Sequence, residues 1–161
     1  MTLSGQQQTL SLLKARGMTF SAAESCTGGL IAKRITDLPG ASAVFRGGVV
    51  SYTDGVKAAV LGVPRELLAC HGAVSAPVAA AMADGVRRLT GSDLAVSVTG
   101  VAGPDSDDRG NPVGLVYLAL SAPDGTRTVR HLFSGDRTAI RESAAQAAFS
   151  LLAAYLNEQE D

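Results

Sequence analysis

The sequence predicts an α/β sandwich built on a mixed sheet. Three observations predict it. Segments of helical periodicity alternate with short apolar segments in the order α, βα, βαα, α, then strands and a closing helix. Residues 113–121, VGLVYLALS, are almost wholly apolar, as in a strand covered on both faces. Pro123-Asp124-Gly125 follows them directly and turns the chain back, antiparallel, over residues 126–133. With 161 residues, 46% of them hydrophobic, no internal repeat and no linker-like stretch, residues 1–161 are expected to form one domain.

Each element has its own signal. Residues 3–16 read as a helix, with Leu3, Leu10 and Leu13 near one face and Gly17 as its stop. Residues 18–23 read as a strand, with Met18, Phe20 and Ala22 on one side. The turn Glu24-Ser25-Cys26-Thr27-Gly28-Gly29 leads into a helix marked by Leu30, Ile31, Ile35 and Leu38 and stopped by Pro39-Gly40. Residues 41–46 connect to a strand over 47–53, whose glycines suggest close backbone approach. Asp54 is placed to cap a short helix through Lys57 to Leu61, and Pro64 suits the first turn of another, ending near His71-Gly72. Residues 75–89 form the most regular helix: Ser75 is the N-cap, Val78, Met82, Val86 and Leu89 make the buried stripe, and Gly91 closes it. A strand over 94–99 runs into Gly100-Val101-Ala102-Gly103-Pro104 and a polar loop, 105–112. After the hairpin, Asp136 caps a long helix with Ile140, Ala144, Ala148, Leu151 and Tyr155 on its apolar side, and 157–161 is a frayed tail.

Composition narrows the function. A net charge of -1 and a pI near 6.1 give no general attraction to nucleic acid. No apolar run reaches membrane length, and MTLSGQQQ lacks the basic and apolar regions of a signal peptide. Cys26 and Cys70 form neither a disulfide framework nor a zinc pattern. The expectation is a cytoplasmic enzyme or binding protein with no metal, cofactor, nucleic-acid or membrane partner; a homo-oligomer is compatible with all of this.

Three loops follow strands where such sheets open a ligand cleft. Ser25-Cys26-Thr27-Gly28-Gly29 offers hydroxyls, a thiol and the start of a helix, where backbone N–H groups and the dipole can hold an anion. Ordinary capping by Ser25 and Thr27 is the competing reading. Tyr52-Thr53-Asp54-Gly55-Val56-Lys57 offers a Tyr and a Lys, although Tyr52 as core and Lys57 as a solvated helix lysine are both open. Thr99-Gly100-Val101-Ala102-Gly103-Pro104 offers bare backbone, and neither glycine loop matches the dinucleotide or Walker patterns. A hydroxyl nucleophile needs a base. His131 sits in the hairpin and His71 at a helix end, so a Ser-Lys pair is the remaining option, with Lys57 losing its proton well below its free value of about 10.4. Cys26 with His71 is the competing nucleophile and base. The spacing of Asp105, Asp107 and Asp108 fails the calcium-loop pattern and reads as a solvated acidic loop. Arg137 and Arg141 are four residues apart near a helix N-terminus, where a cation is unfavourable unless offset by an anion. That anion is either a carboxylate such as Glu142 or Asp136, or a substrate phosphate.

Together, Ala23-Glu24-Ser25-Cys26-Thr27-Gly28-Gly29, Gly48-Val49-Val50-Ser51-Tyr52 with Lys57 beyond it, His71-Gly72-Ala73-Val74-Ser75, Thr99-Gly100-Val101-Ala102-Gly103-Pro104 and Ser134-Gly135-Asp136-Arg137 resemble the CinA carboxy-terminal domain family. The likeness runs in order along nearly the whole chain. It implies a three-layer α/β/α fold and the activity of the family's stand-alone members, hydrolysis of nicotinamide mononucleotide to nicotinic acid mononucleotide and ammonia in pyridine nucleotide salvage. It also implies Ser25 as nucleophile, Lys57 as base and Tyr52 as their assistant. Thr27, Gly28, Gly29, Thr99, Gly100 and Gly103 are expected on the substrate, with Arg137 and above all Arg141 on its phosphate. The oxyanion would face N–H groups at the start of the helix after Gly29 or in the Gly100 loop. The rival is a nucleotide-binding regulatory module that uses the same cleft without turnover.

Overall fold

The structure is a computed structural model that describes residues 2–159. Its elements are α1 (Gly5–Arg16), β1 (Phe20–Glu24), α2 (Leu30–Thr36), a 3-10 turn (Ala41–Ala43), β2 (Phe45–Val50), α3 (Asp54–Leu61), α4 (Arg65–His71), α5 (Ala76–Thr90), β3 (Leu94–Gly100), β4 (Leu115–Ala122), β5 (Gly125–Leu132) and α6 (Arg137–Glu158). The strands lie in the order β2-β1-β3-β4-β5. β1 is parallel to β2 and β3, and the hairpin adds β4 and β5 antiparallel, so the sheet is mixed. The apolar run of β4 makes it an inner strand, while β5 and β2 form the edges and show alternating burial.

Helices cover both faces. On one, Phe20, Val96, Val98, Leu118 and Leu120 meet Leu13 of α1, Ile31 and Ile35 of α2, and Ile140, Ala144 and Phe149 of α6. On the other, Ala23 and Ala95 meet Leu61 of α3, Leu68 of α4, and Val78, Met82 and Val86 of α5. Each such side chain removed from water contributes about 1.5–3 kcal/mol if large. Among the described residues, no helix is long and apolar enough to cross a membrane.

Several ends differ from the sequence reading. α1 begins at Gly5 because Ser4 and Gln7 form a reciprocal capping box, which leaves Leu3 outside the helix and exposed. β2 stops at Val50, which leaves Ser51 buried just beyond the strand and Tyr52 on the cleft. Thr53, not Asp54, caps α3, and Ser75 occupies the N-cap of α5 while its hydroxyl donates to Gly72 O. The tail expected to fray is helical through Glu158; residues 160 and 161 lie outside the described residues.

The register sets the site. Glu24 pairs with Val50 on one side and with Val98 on the other, so β1 and β2 end level while β3 runs two residues further to Gly100, and all three release their loops at one edge of the sheet. α3 then lies against α5 at Gly85, where a Cβ would run into the Leu61 carbonyl oxygen. Gly85→Ala is expected to destabilise the protein by about 1–3 kcal/mol, the usual cost of overpacking. Urea unfolding checks this, and an unchanged midpoint would mean that α3 is not held by this contact.

Candidate active site

Ser25 follows β1 directly. Its N–H donates to Val98 O at 3.0 Å, which extends the β1–β3 ladder by one residue, and Gly28 N–H donates to Ser25 O at 3.1 Å. Gly28 and Gly29 take positive φ of 58° and 103°, which the tight turn into α2 requires. Neither hydroxyl of the turn caps α2: its N-cap is Gly29, without a side-chain hydrogen bond. Instead the carboxylate of Glu24 occupies the start of the helix. It accepts from Thr27 Oγ1 at 2.7 Å, Ile31 N at 2.9 Å and Ala32 N at 3.2 Å. The anion that the helix N-terminus favours is therefore the protein's own. Thr27, fully buried, faces Glu24.

Lys57 reaches the turn from α3. Its Nζ donates to Ser25 Oγ at 3.0 Å and to Ser51 O at 2.7 Å. Ser51 is itself fixed, because its N–H and hydroxyl both donate to Glu24 O, at 2.7 and 3.3 Å. Lys57 is only 1% exposed, so it is not a solvated helix lysine. Burial pushes its ammonium below the ordinary lysine value of 10.5, with Asp54 and Cys26 opposing the shift. The arrangement can move a proton between a hydroxyl and an amine sheltered from water.

Cys26 has the opposite character. It is 5% exposed, and burial pushes its thiol up to about 11, against thiolate chemistry near neutrality. His71 lies exposed at the end of α4 and makes no hydrogen bond or ion pair with it.

Ser25 and Lys57 open into a cavity of about 280 Å³. Of the other expected residues, Tyr52, Thr99, Gly100, Gly103 and Arg137 line it, whereas Thr27, Gly28, Gly29 and Arg141 do not. Tyr52 is 54% exposed and touches neither Ser25 nor Lys57 by hydrogen bond; its hydroxyl accepts from Arg137 Nη2 at 3.0 Å. Arg137 also donates to Gly103 O, so it ties the second loop to the third. Arg141 donates through Nε to Cys26 O and through Nη2 to Thr27 O, both at 3.0 Å. Backbone carbonyls thus offset both arginines. The carboxylates considered as partners are used elsewhere: Glu142 pairs with Arg34, and Asp136 caps α6 by accepting from Ala139 N.

The acidic loop is anchored. Asp107 accepts from Arg109 N, Asn111 N and Asn111 Nδ2, and Arg109 donates to the carbonyls that end α4. Asp105 and Asp107 consequently line the cavity, which their solvated reading did not anticipate. Among the described residues, no group of three or more His, Cys, Asp or Glu side chains could hold a metal ion.

Comparison with known proteins agrees with this architecture. The model of the CinA C-terminal domain matches residues 3–156. A CinA-like protein of Geotalea uraniireducens is 54% identical over 131 residues, 81% of this chain and 31% of that protein. A CinA-like protein of Anaeromyxobacter dehalogenans is 51% identical over 140 residues, 87% of this chain and 34% of its own length. The chain thus spans about a third of the length of the curated relatives it matches. A solved CinA superfamily protein from Klebsiella pneumoniae superposes with a TM-score of 0.92 at 34% identity, covering 97% of this chain and 99% of that one. The competence/damage inducible protein CihA from Agrobacterium tumefaciens gives 0.89 at 38% identity, covering 98% and 99%. By its matched sequence and by its fold, the chain belongs to the CinA C-terminal domain family.

Proposed function

We propose that the protein hydrolyses the carboxamide of nicotinamide mononucleotide to give nicotinic acid mononucleotide and ammonia. The observation that carries this reading is the contact between the buried Lys57 Nζ and Ser25 Oγ at the wall of an open cavity. With Lys57 neutral, the hydrogen bond reverses: Ser25 O–H donates to the Nζ lone pair while Lys57 N–H still donates to Ser51 O. Ser25 attacks the amide carbon, which the adjoining pyridinium makes more electrophilic. The resulting ammonium gives its proton to the amide nitrogen, which departs as ammonia; water, deprotonated by the same lysine, then releases the acid from the acyl-enzyme and the proton returns to Ser25 Oγ. Because Glu24 takes the first amides of α2, the oxyanion is left to amides of the turn itself or of residues 102–103. Arg137, held between Tyr52 and Gly103 on the cavity wall, is the arginine placed for the phosphate.

Ammonia release from nicotinamide mononucleotide tests the reading. Ser25→Ala should abolish it, and Cys26→Ala should keep most of it. Wild-type kcat/KM should rise with pH as Lys57 loses its proton, through a value below the ordinary 10.5 because burial depresses that group. Binding without ammonia release, or activity surviving in Ser25→Ala but lost in Cys26→Ala, would contradict it.

The two arginines should separate by substrate. Arg137→Ala should cut kcat/KM on nicotinamide mononucleotide by about ten- to a hundredfold, the loss of a charge-assisted contact. It should change little on nicotinamide riboside, which lacks the phosphate. Arg141→Ala should lower activity on both substrates equally, because Arg141 serves the turn. A phosphate-selective loss in Arg141→Ala would reverse the assignment.

A further inference from the structure

We propose that Glu24 is a positioning residue for Ser25, its carboxylate fixing the turn that aims the hydroxyl at Lys57. The proposal rests on the reading of Ser25 as nucleophile. Glu24 is 1% exposed and forms no ion pair among the described residues. A buried carboxylate without a cation is costly unless several donors satisfy it. Here three do, and all lie within the eight residues that follow: Thr27 Oγ1, Ile31 N and Ala32 N. The side chain therefore fastens the middle of the 25–29 turn, and the start of the helix that follows it, to the residue that precedes the nucleophile.

The backbone of the same residue reaches the base. Glu24 O holds Ser51 through two hydrogen bonds, and Ser51 O accepts from Lys57 Nζ. Arg141 takes the carbonyls of Cys26 and Thr27. Glu24 holds donors of the turn and of the start of α2, and Arg141 holds acceptors of the turn, which leaves the turn little freedom to rotate Ser25. Glutamine at this position keeps one acceptor oxygen but presents N–H groups where a donor already stands.

The rate at which a fluorophosphonate probe modifies Ser25 tests this without using the nucleotide. The Oγ–P bond forms, the P–F bond breaks, fluoride leaves, and the hydroxyl proton passes to Lys57. Wild type should be labelled and Ser25→Ala should not. Glu24→Gln should be labelled about ten- to a hundredfold more slowly, the scale of a misplaced reacting group, while its circular dichroism stays native. The pH midpoint of labelling should not move, because Glu24 acts through geometry. Thr27→Val removes one of the three donors and should slow labelling several-fold, with Thr27→Ser recovering most of the loss. That pair decides the matter if Glu24→Gln does not fold. Wild-type-like labelling of a folded Glu24→Gln, equal rates in Thr27→Val and Thr27→Ser, a displaced pH midpoint, or an unlabelled wild type would each overturn the proposal. Normal labelling without ammonia release would overturn the substrate assignment alone.

Discussion

A lysine buried to 1% exposure has lost the hydration that keeps its ammonium charged. Among the described residues Lys57 has no carboxylate within ion-pairing distance to replace that hydration; it has a backbone carbonyl, Ser51 O, and a hydroxyl, Ser25 Oγ. Both partners accept a proton-bearing nitrogen, and neither fixes its charge. Much of the fold serves this one position. α3 carries the lysine, Thr53 starts that helix, and Gly85 lets α5 approach its C-terminal end at Leu61. The register of β1 with β2 and β3 then brings Ser25, Ser51 and the Gly100 loop to the same edge of the sheet.

Around that pair the side chains divide by what they touch. The side chains of Glu24, Thr27 and Arg141 bond within the turn and to the start of α2, and the cavity does not reach them. Tyr52, Asp105 and Asp107, on loops, and Arg137, at the start of α6, line the cavity. Loop ends and helix starts of this kind suit recognition of a ligand that must enter and leave.

Much of this was legible in the sequence. Periodicity, the apolar run of β4 and the Pro123-Asp124-Gly125 turn led to the right strands and to a mixed sheet. The three loops that meet were also identifiable, because each follows a strand and carries glycine or hydroxyl residues. What remained hidden is three-dimensional. Lys57 sits among Ala and Val on a short helix, and nothing in that pattern shows that its side chain is buried. Thr27 looked like a cap or a ligand-binding hydroxyl because the sequence does not reveal that Glu24 folds forward over the helix start. Arg137 and Arg141 share a spacing but not a destination, since one points across the cavity to Tyr52 and the other under the Ser25 turn. The capping box of Ser4 and Gln7 was readable and moves the start of α1 past Leu3.

The central claim is that Lys57 is a buried, easily deprotonated amine beside Ser25. With only Lys14, Lys33 and Lys57 in the chain, carbon-13 labelling of the lysine ε-carbons yields three signals, and Lys57→Arg assigns the third. Followed by nuclear magnetic resonance against pH, the Lys57 signal should titrate below the ordinary lysine value of 10.5, because burial depresses it, in the range where ammonia release sets in. A Lys57 signal that titrates at or above the free-lysine value of about 10.4 would contradict the account.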